Sequence, residues 1–237
     1  MEKTKLLKFV SKYHLAGLIE SVKWESESST LKTSFISDDK SVLGTVMMKD
    51  FGDDTTTYGI YDTSKLVKML SVLGEDVTLN LNTIDGKLVS LKFNDKSSTI
   101  NYMLSDLSVI PTVPDLKKLP EFNVQIKLDD KFINKFIRAK SALSEEDNFT
   151  FMVKDGVAKI ILGYASINSN RISIEVDASV TEDVDPISFS ATYLKEILVA
   201  NKDATNAVLD ISTQGLAAIH FDIDNYTSDY YLVQISN

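Results

Sequence analysis

Apolar and polar residues alternate with period two over most of the chain, and four stretches switch to a period near 3.6. The clearest switch spans residues 128 to 143, where Phe132, Ile133, Phe136 and Leu143 share one side of a helix. Lys131, Lys135 and Arg138 form a stripe on the other side. Asp129 is placed to cap this helix, and Asp130 suits the positive end of the helix dipole. Residues 3 to 16 repeat the pattern, with Leu6, Leu7, Val10 and Tyr13 inward and Lys5, Lys8 and Lys12 opposite; Gly17 is a candidate stop. A third helix is predicted over 63 to 74, capped by Thr63 or Ser64, with Leu66, Met69, Leu70 and Leu73 inward, Lys65 and Lys68 outward, and Gly74 at its end. The fourth, 190 to 202, starts at Ser190 and turns Tyr193, Leu194, Ile197 and Leu198 inward, with Lys195 and Lys202 on the far side.

Between the helices the alternation predicts strands at 19–27, 31–37, 42–49, 58–61, 77–83, 88–93 and 98–104. In the later part it predicts 122–128, 149–154, 157–162, 171–180, 187–189, 207–212, 217–221 and 230–235. Asp85-Gly86, Asp155-Gly156 and Gln214-Gly215 sit between alternating runs and mark hairpins. Pro111, Pro114 and Pro120, three of the four prolines, fall in one stretch that can be neither helix nor central strand and that reads as a connector. Either side of it the order is the same: helix, strands, short strand, helix, hairpin, final strand. The two helix starts are about 61 residues apart in each half. A period this long rules out a solenoid and implies two copies of one domain. The predicted class is therefore α+β, with antiparallel sheets and two helices per domain. The domains are 1–107 and 122–237, joined by a connector at 108–121.

Charge changes this picture. The chain carries −9 overall, which alone argues for a soluble cytosolic protein and against nucleic acid. Yet the four helical stretches hold twelve Lys/Arg against three acids, a net of +9, which leaves −18 for the rest. A lysine-rich face without Asn, Gln or aromatic interleaving suits contact with phosphates and not the reading of bases. There is no cysteine, hence no disulfide and no thiolate metal site. No signal-type apolar segment opens the chain, and no run is long enough to span a membrane. The two sequons, at Asn148 and Asn225, are chance matches in that setting. His14 and His220, the only histidines, fall in different domains. No phosphate loop, nucleophile elbow or zinc spacing occurs, and Asp50-Phe51-Gly52 lacks the companion motifs of a kinase. The acidic clusters 50–54, 145–147 and 222–224 read as solvated loops. The expectation is a protein that is not an enzyme and uses no cofactor or metal. A β-rich viral structural or assembly protein with no DNA role is the other class that accommodates the repeat.

The order, spacing and charge together resemble the sliding clamps that tether replicative DNA polymerases. The segments 61–70 and 189–198, each a short strand running into a second helix, carry the likeness, as does the terminal Asp229-Tyr-Tyr-Leu-Val-Gln-Ile, which is similar to the last strand of proliferating cell nuclear antigen. The stretch Leu119 to Gly163 looks closest to the trimeric clamps of tailed bacteriophages. The resemblance implies a homotrimeric ring around double-stranded DNA, opened by a clamp-loader ATPase, partnered by the replicative polymerase, and located in the cytoplasm, that of the host if the protein is viral. It implies that Lys5, Lys8, Lys12, Lys65, Lys68, Lys131, Lys135, Arg138, Lys195 and Lys202 face DNA. It implies a subunit interface at Ile100, Tyr102, Ile172, Ile174 and Val176. It also implies a pocket for partner peptides at Ile110, Val113, Tyr231 and Val233, although the chain closes on Gln234-Ile-Ser-Asn where the familiar clamps carry a proline-containing tail.

Overall fold

The computed structural model describes all of the chain except Asp53, Lys117, 165–169, Thr181, 205–206 and 236–237. The chain divides into two compact units. The first comprises Met1–Ile36, Thr45–Val113 and Asp224–Thr227. The second comprises Ser37–Gly44, Pro114–Ile223 and Ser228–Asn237.

In the first unit α1 (Lys3–His14) is followed by the strands β1 (Val22–Glu27), β2 (Thr30–Ile36), β3 (Val42–Lys49) and β4 (Thr56–Ile60). Then come α2 (Thr63–Leu70) and three further strands, β5 (Thr78–Ile84), β6 (Lys87–Asn94) and β7 (Thr99–Met103). The strand orders are β4-β1-β2-β3 and β5-β6-β7. Ladders β1/β2, β1/β4, β5/β6 and β6/β7 are antiparallel. The helices pack on each other and supply the core with Leu6, Phe9, Val10, Tyr13, Leu66 and Leu70, all at most 1% exposed. Phe9 meets Tyr13 and Trp24 edge-on, with ring centroids 5.6 and 5.7 Å apart. The indole N–H of Trp24 donates to the Tyr13 hydroxyl (3.2 Å), so the polar ends of this cluster are satisfied inside it.

The second unit repeats the order with one addition at its start. β8 (Val124–Leu128) leads into α3 (Asp130–Ala142), then β9 (Asn148–Lys154), β10 (Val157–Leu162), β11 (Ile172–Glu175) and β12 (Val184–Ser190). α4 (Ala191–Ala200) precedes β13 (Ala207–Ser212), β14 (Leu216–Ile223) and β15 (Tyr226–Val233). The orders are β11-β10-β9-β12 and β15-β14-β13-β8. α3 packs on α4, and Phe132, Phe136, Phe149 and Phe189 form a chain of rings with centroids 5.7–6.0 Å apart.

The hairpins at Asp85-Gly86 and Asp155-Gly156 form as predicted: both residues of each turn have positive φ, the two-residue geometry whose twist matches the flanking strands. Several element ends differ from the sequence expectation. α1 stops at His14 because Leu15 and Ala16 already adopt left-handed φ of 48° and 57°, ahead of Gly17. α2 ends at Leu70, not Gly74, whose N–H is instead bound by the Asp95 carboxylate (2.6 Å). Its cap is Asp62, accepting from Lys65 N–H (2.7 Å), rather than Thr63 or Ser64. The strand expected over 171–180 keeps only Ile172–Glu175; beyond it Ser179 N–H donates to Gln125 O (3.0 Å) on β8.

Candidate functional site

The basic helix faces are built differently in the two units. Asp129 caps α3 by accepting from Phe132 N–H (2.7 Å). Phe132, Ile133, Phe136 and Ala139 are buried, which fixes the rotation of the helix and turns Lys131, Lys135 and Arg138 out to solvent. None of these three cations forms an ion pair among the described residues. Lys127, which the sequence reading did not single out, joins them: it is exposed on β8 and lines the same groove of about 210 Å³ as Lys131 and Lys135. The strict alternation of β8 places Gln125 and Lys127 outward, and that pattern was the signal for it. The groove floor is Ile126, Phe132 and Ile174, and Glu175 and Asp177 stand on its other side.

On α1, Lys5 and Lys8 are exposed, and Lys5 lies 3.6 Å from Glu2 in a half-exposed pair worth little. Lys12 departs from the expectation. It is 4% exposed, and its ammonium stands 5.5 Å from the centre of the Tyr226 ring. Tyr226 in turn donates its hydroxyl to Lys5 O (3.0 Å), so the ring lies along the helix between the carbonyl of its first turn and the Lys12 ammonium that reaches back toward it. Lys65 and Lys68 on α2 are exposed. On α4, Lys195 is only partly exposed and pairs with Glu196 (3.2 Å), which neutralises it. Lys202 is exposed but lies past the end of α4. The outward side of α4 also presents Val199, 41% exposed.

The start of α2 is tied to the end of α1 by Glu20. Its carboxylate accepts from Ser64 N–H (2.8 Å) and the Ser64 hydroxyl and meets His14 Nε2 at 3.2 Å, while its carbonyl accepts from Thr63 N–H (3.1 Å). Burial pushes the Glu20 carboxyl up, but the bonds from Ser64 and His14 outweigh it and hold the group below the usual carboxylate range. Ser64, His14 and Glu20 have the composition of a hydrolytic triad without its geometry. One ring nitrogen of His14 meets both partners, whereas a triad uses the two nitrogens separately. Among the described residues no group of three or more His, Asp or Glu is placed to hold a metal ion. Among the described residues no helix is long and apolar enough to cross a membrane.

The expected interface residues separate by face. β7 and β11 each end their sheets, so each offers a backbone edge. Ile100, Ile172 and Val176 are half-buried. Tyr102 and Ile174 are not available: they are 4% and 1% exposed, turned into their own unit by the alternation of their strands. The Tyr102 hydroxyl is held there by Asp62, accepting from its N–H (3.1 Å) and donating to its carbonyl (3.0 Å). Met103, 62% exposed, takes the outward position on β7. Of the expected pocket residues, Ile110 is buried at 3% and Val113 is half-buried in the first unit; Tyr231 is half-buried and Val233 is 42% exposed in the second.

No family model matches the chain, and no curated protein matches it. Among solved structures the chain is similar to the crystal structure of the proliferating cellular nuclear antigen of Entamoeba histolytica, with a TM-score of 0.73 and 16% identity, over 100% of this chain and 97% of that one. The chain has the DNA-clamp fold, with mostly antiparallel sheets and few helices.

Proposed function

We propose that this protein is a sliding clamp: a ring that encloses duplex DNA without reading its sequence and holds the replicative polymerase on its template. The observation that carries the proposal is the unpaired basic face of α3, Lys131, Lys135 and Arg138, together with Lys5, Lys8, Lys65 and Lys68, in a chain of net charge −9 with the DNA-clamp fold. Flexible, hydrated lysines screen phosphates loosely, which permits sliding; a strongly acidic remainder disfavours DNA anywhere else on the molecule. The clamp domains are 1–107 and 122–237, with 108–121 as their connector, and three copies close head to tail through β7 of one and β11 of the next. A clamp-loader ATPase opens the ring, the protein works in the cytoplasm, and it is kin to the trimeric clamps of tailed bacteriophages. Its role is that of a scaffold without chemistry of its own. Peptides of partner proteins dock on the second unit, near Tyr231 and Val233.

The test joins mass in solution to topology of the DNA. A trimeric mass with retention on nicked circular DNA, and loss from the same DNA once linearised, is the expected result. A monomer that binds neither form overturns the proposal and returns the protein to the structural or assembly class.

A further inference from the structure

The surroundings of β7 are set by α2, which crosses it in the opposite direction. The start of α2 lies at the end of the strand, where the Tyr102 hydroxyl binds the backbone of Asp62. The end of α2 lies at the start of the strand. There Asp95, in the turn between β6 and β7, accepts from Gly74 N–H (2.6 Å), and its own N–H donates to Ser98 O (3.0 Å). Alternation puts Ile100 on the same side of β7 as Tyr102, toward α2, and sends Met103 to the opposite side. Just past the last turn of α2, Leu73 is buried, which turns Val72 outward. Val72 is 67% exposed, more than any other large apolar side chain among the described residues. Lys96 is exposed in the same turn as Asp95. One end of this strand edge is thus flanked by an uncovered valine, a half-buried isoleucine and a cation.

The groove of about 210 Å³ in the second unit lies beside one end of the other edge, β11. Its floor is apolar, and Ile174 and Val176 line it from the side of the sheet that faces α3. The lysines of the groove stand on β8 and α3, whereas Glu175 and Asp177 stand on the side of β11, both exposed. An occupant that arrives along β11 therefore needs an apolar tip and a cation. Every ladder in the sheets of β7 and β11 is antiparallel. Antiparallel addition of β7 to β11 sets the start of one beside the end of the other and keeps helix-facing side chains on one side. Both conditions bring Val72, Ile100 and Lys96 of one copy to the groove of the next, and both keep Met103 away from it.

We propose that this groove is a socket for a second copy of the chain: Val72 and Ile100 of one copy close over Phe132 and Ile174 of the next, and Lys96 pairs with Asp177. The proposal rests on the reading that copies join through β7 and β11, and it names the side chains that make that joint selective. A bare strand edge pairs with any strand that reaches it. The socket and the ion pair admit only the edge that carries a valine and a lysine at the matching end. The two surfaces differ, so the contact is heterologous and each copy offers one plug and one socket.

Sedimentation of the full chain over a range of concentrations reads assembly, and amide exchange in β6 and β10 reads the fold of each unit. Val72→Asn, at an exposed position, leaves exchange in β6 and β10 unchanged and raises the concentration of half-assembly about tenfold, because an amide replaces an apolar group in the socket. Lys96→Glu and Asp177→Lys each raise it about threefold, and the double variant recovers most of that loss. The chain has no cysteine, so links can be placed at will. Val72→Cys in one pool and Val176→Cys in another, mixed and treated with a short bismaleimide, give copies joined across the two pools. A wild-type chain that stays monomeric throughout overturns the joint at β7 and β11 and the socket with it. Normal assembly of Val72→Asn overturns the socket alone. So does additive loss in the double charge variant, or linkage of Val72→Cys to Ile172→Cys in place of Val176→Cys.

Discussion

α1 and α3 occupy the same place in the two units and carry nearly the same sequence pattern, yet the structure treats them differently. Both have an apolar stripe and three cations on the opposite side. α3 is self-sufficient: the residue before it caps it, and all three cations remain in water. α1 leans on distant parts of the chain. Glu2 makes no side-chain cap bond, and Glu75 serves in its place, accepting from Thr4 N–H (2.8 Å). At its other end Tyr226 covers Lys12. Periodicity tells which residues share a face; it does not tell what else is brought to that face.

This contrast can be broken or sharpened by experiment. The largest expected effects are common to both helices: Phe136→Ala and Phe9→Ala, each at a fully buried ring, cost about 3–5 kcal/mol of the stability of their own unit, read by denaturant dependence of amide exchange. Next come the cations. Lys131→Ala with Lys135→Ala and Arg138→Ala lowers the magnitude of the salt slope of DNA retention by up to about 3, Lys5→Ala with Lys8→Ala by up to about 2, with the mass in solution unchanged. Lys12→Ala leaves that slope alone and instead destabilises by about 1–2 kcal/mol through the lost packing of its stem. If Lys12→Ala lowers the slope as Lys8→Ala does, α1 and α3 present equal faces and the contrast is wrong. Capping is smaller: Asp129→Ala costs about 1 kcal/mol, while Glu2→Ala changes stability by less than its experimental error, because Glu2 caps nothing.

The smallest effect is on acid stability and falls on the first unit. Bonds from the Thr4 hydroxyl and N–H hold Glu75 below the usual range, and backbone N–H groups of Gly74, Ser97 and Ser98 hold Asp95 at about 2. A folded-state value below the unfolded one contributes stability above the unfolded carboxylate range, and that contribution is lost as pH falls through the folded value. Asp95→Asn should flatten the loss of stability between the normal aspartate range and pH of about 2. Tracking exchange in β5–β7 against pH measures it; an unchanged profile would show that Asp95 is not held as the geometry has it.

How much of this was legible in the sequence follows from the reach of each determinant. Asp129, Ser190 and the two Asp-Gly turns act on residues three or fewer positions away, and they were readable. The cap of α2 was misplaced because Asp62, Thr63 and Ser64 are all competent, and Thr63 and Ser64 are instead engaged by Glu20, more than forty residues earlier. The burial of Lys12 was beyond any local pattern. Tyr102 and Ile174 were placed at an interface because an edge strand was taken to offer its side chains along with its backbone. An edge offers the backbone, whereas alternation sends every second side chain into the unit that owns it.

The four residues Asp224–Thr227 belong to the first unit although they come almost at the end of the chain. Tyr226 bonds to a carbonyl 221 positions earlier. On a ribosome adding about 5–20 residues per second, α1 emerges many seconds before the ring that covers Lys12. The first unit can form its sheets and α1 early, but the contact of the Tyr226 ring with Lys12 is made only when synthesis is nearly complete. A chain cut short anywhere before Asp224 would thus carry a defect in its first unit, far from the cut. Order of synthesis and order of completion are reversed here, and quality control of the nascent protein would see the flaw at the wrong end.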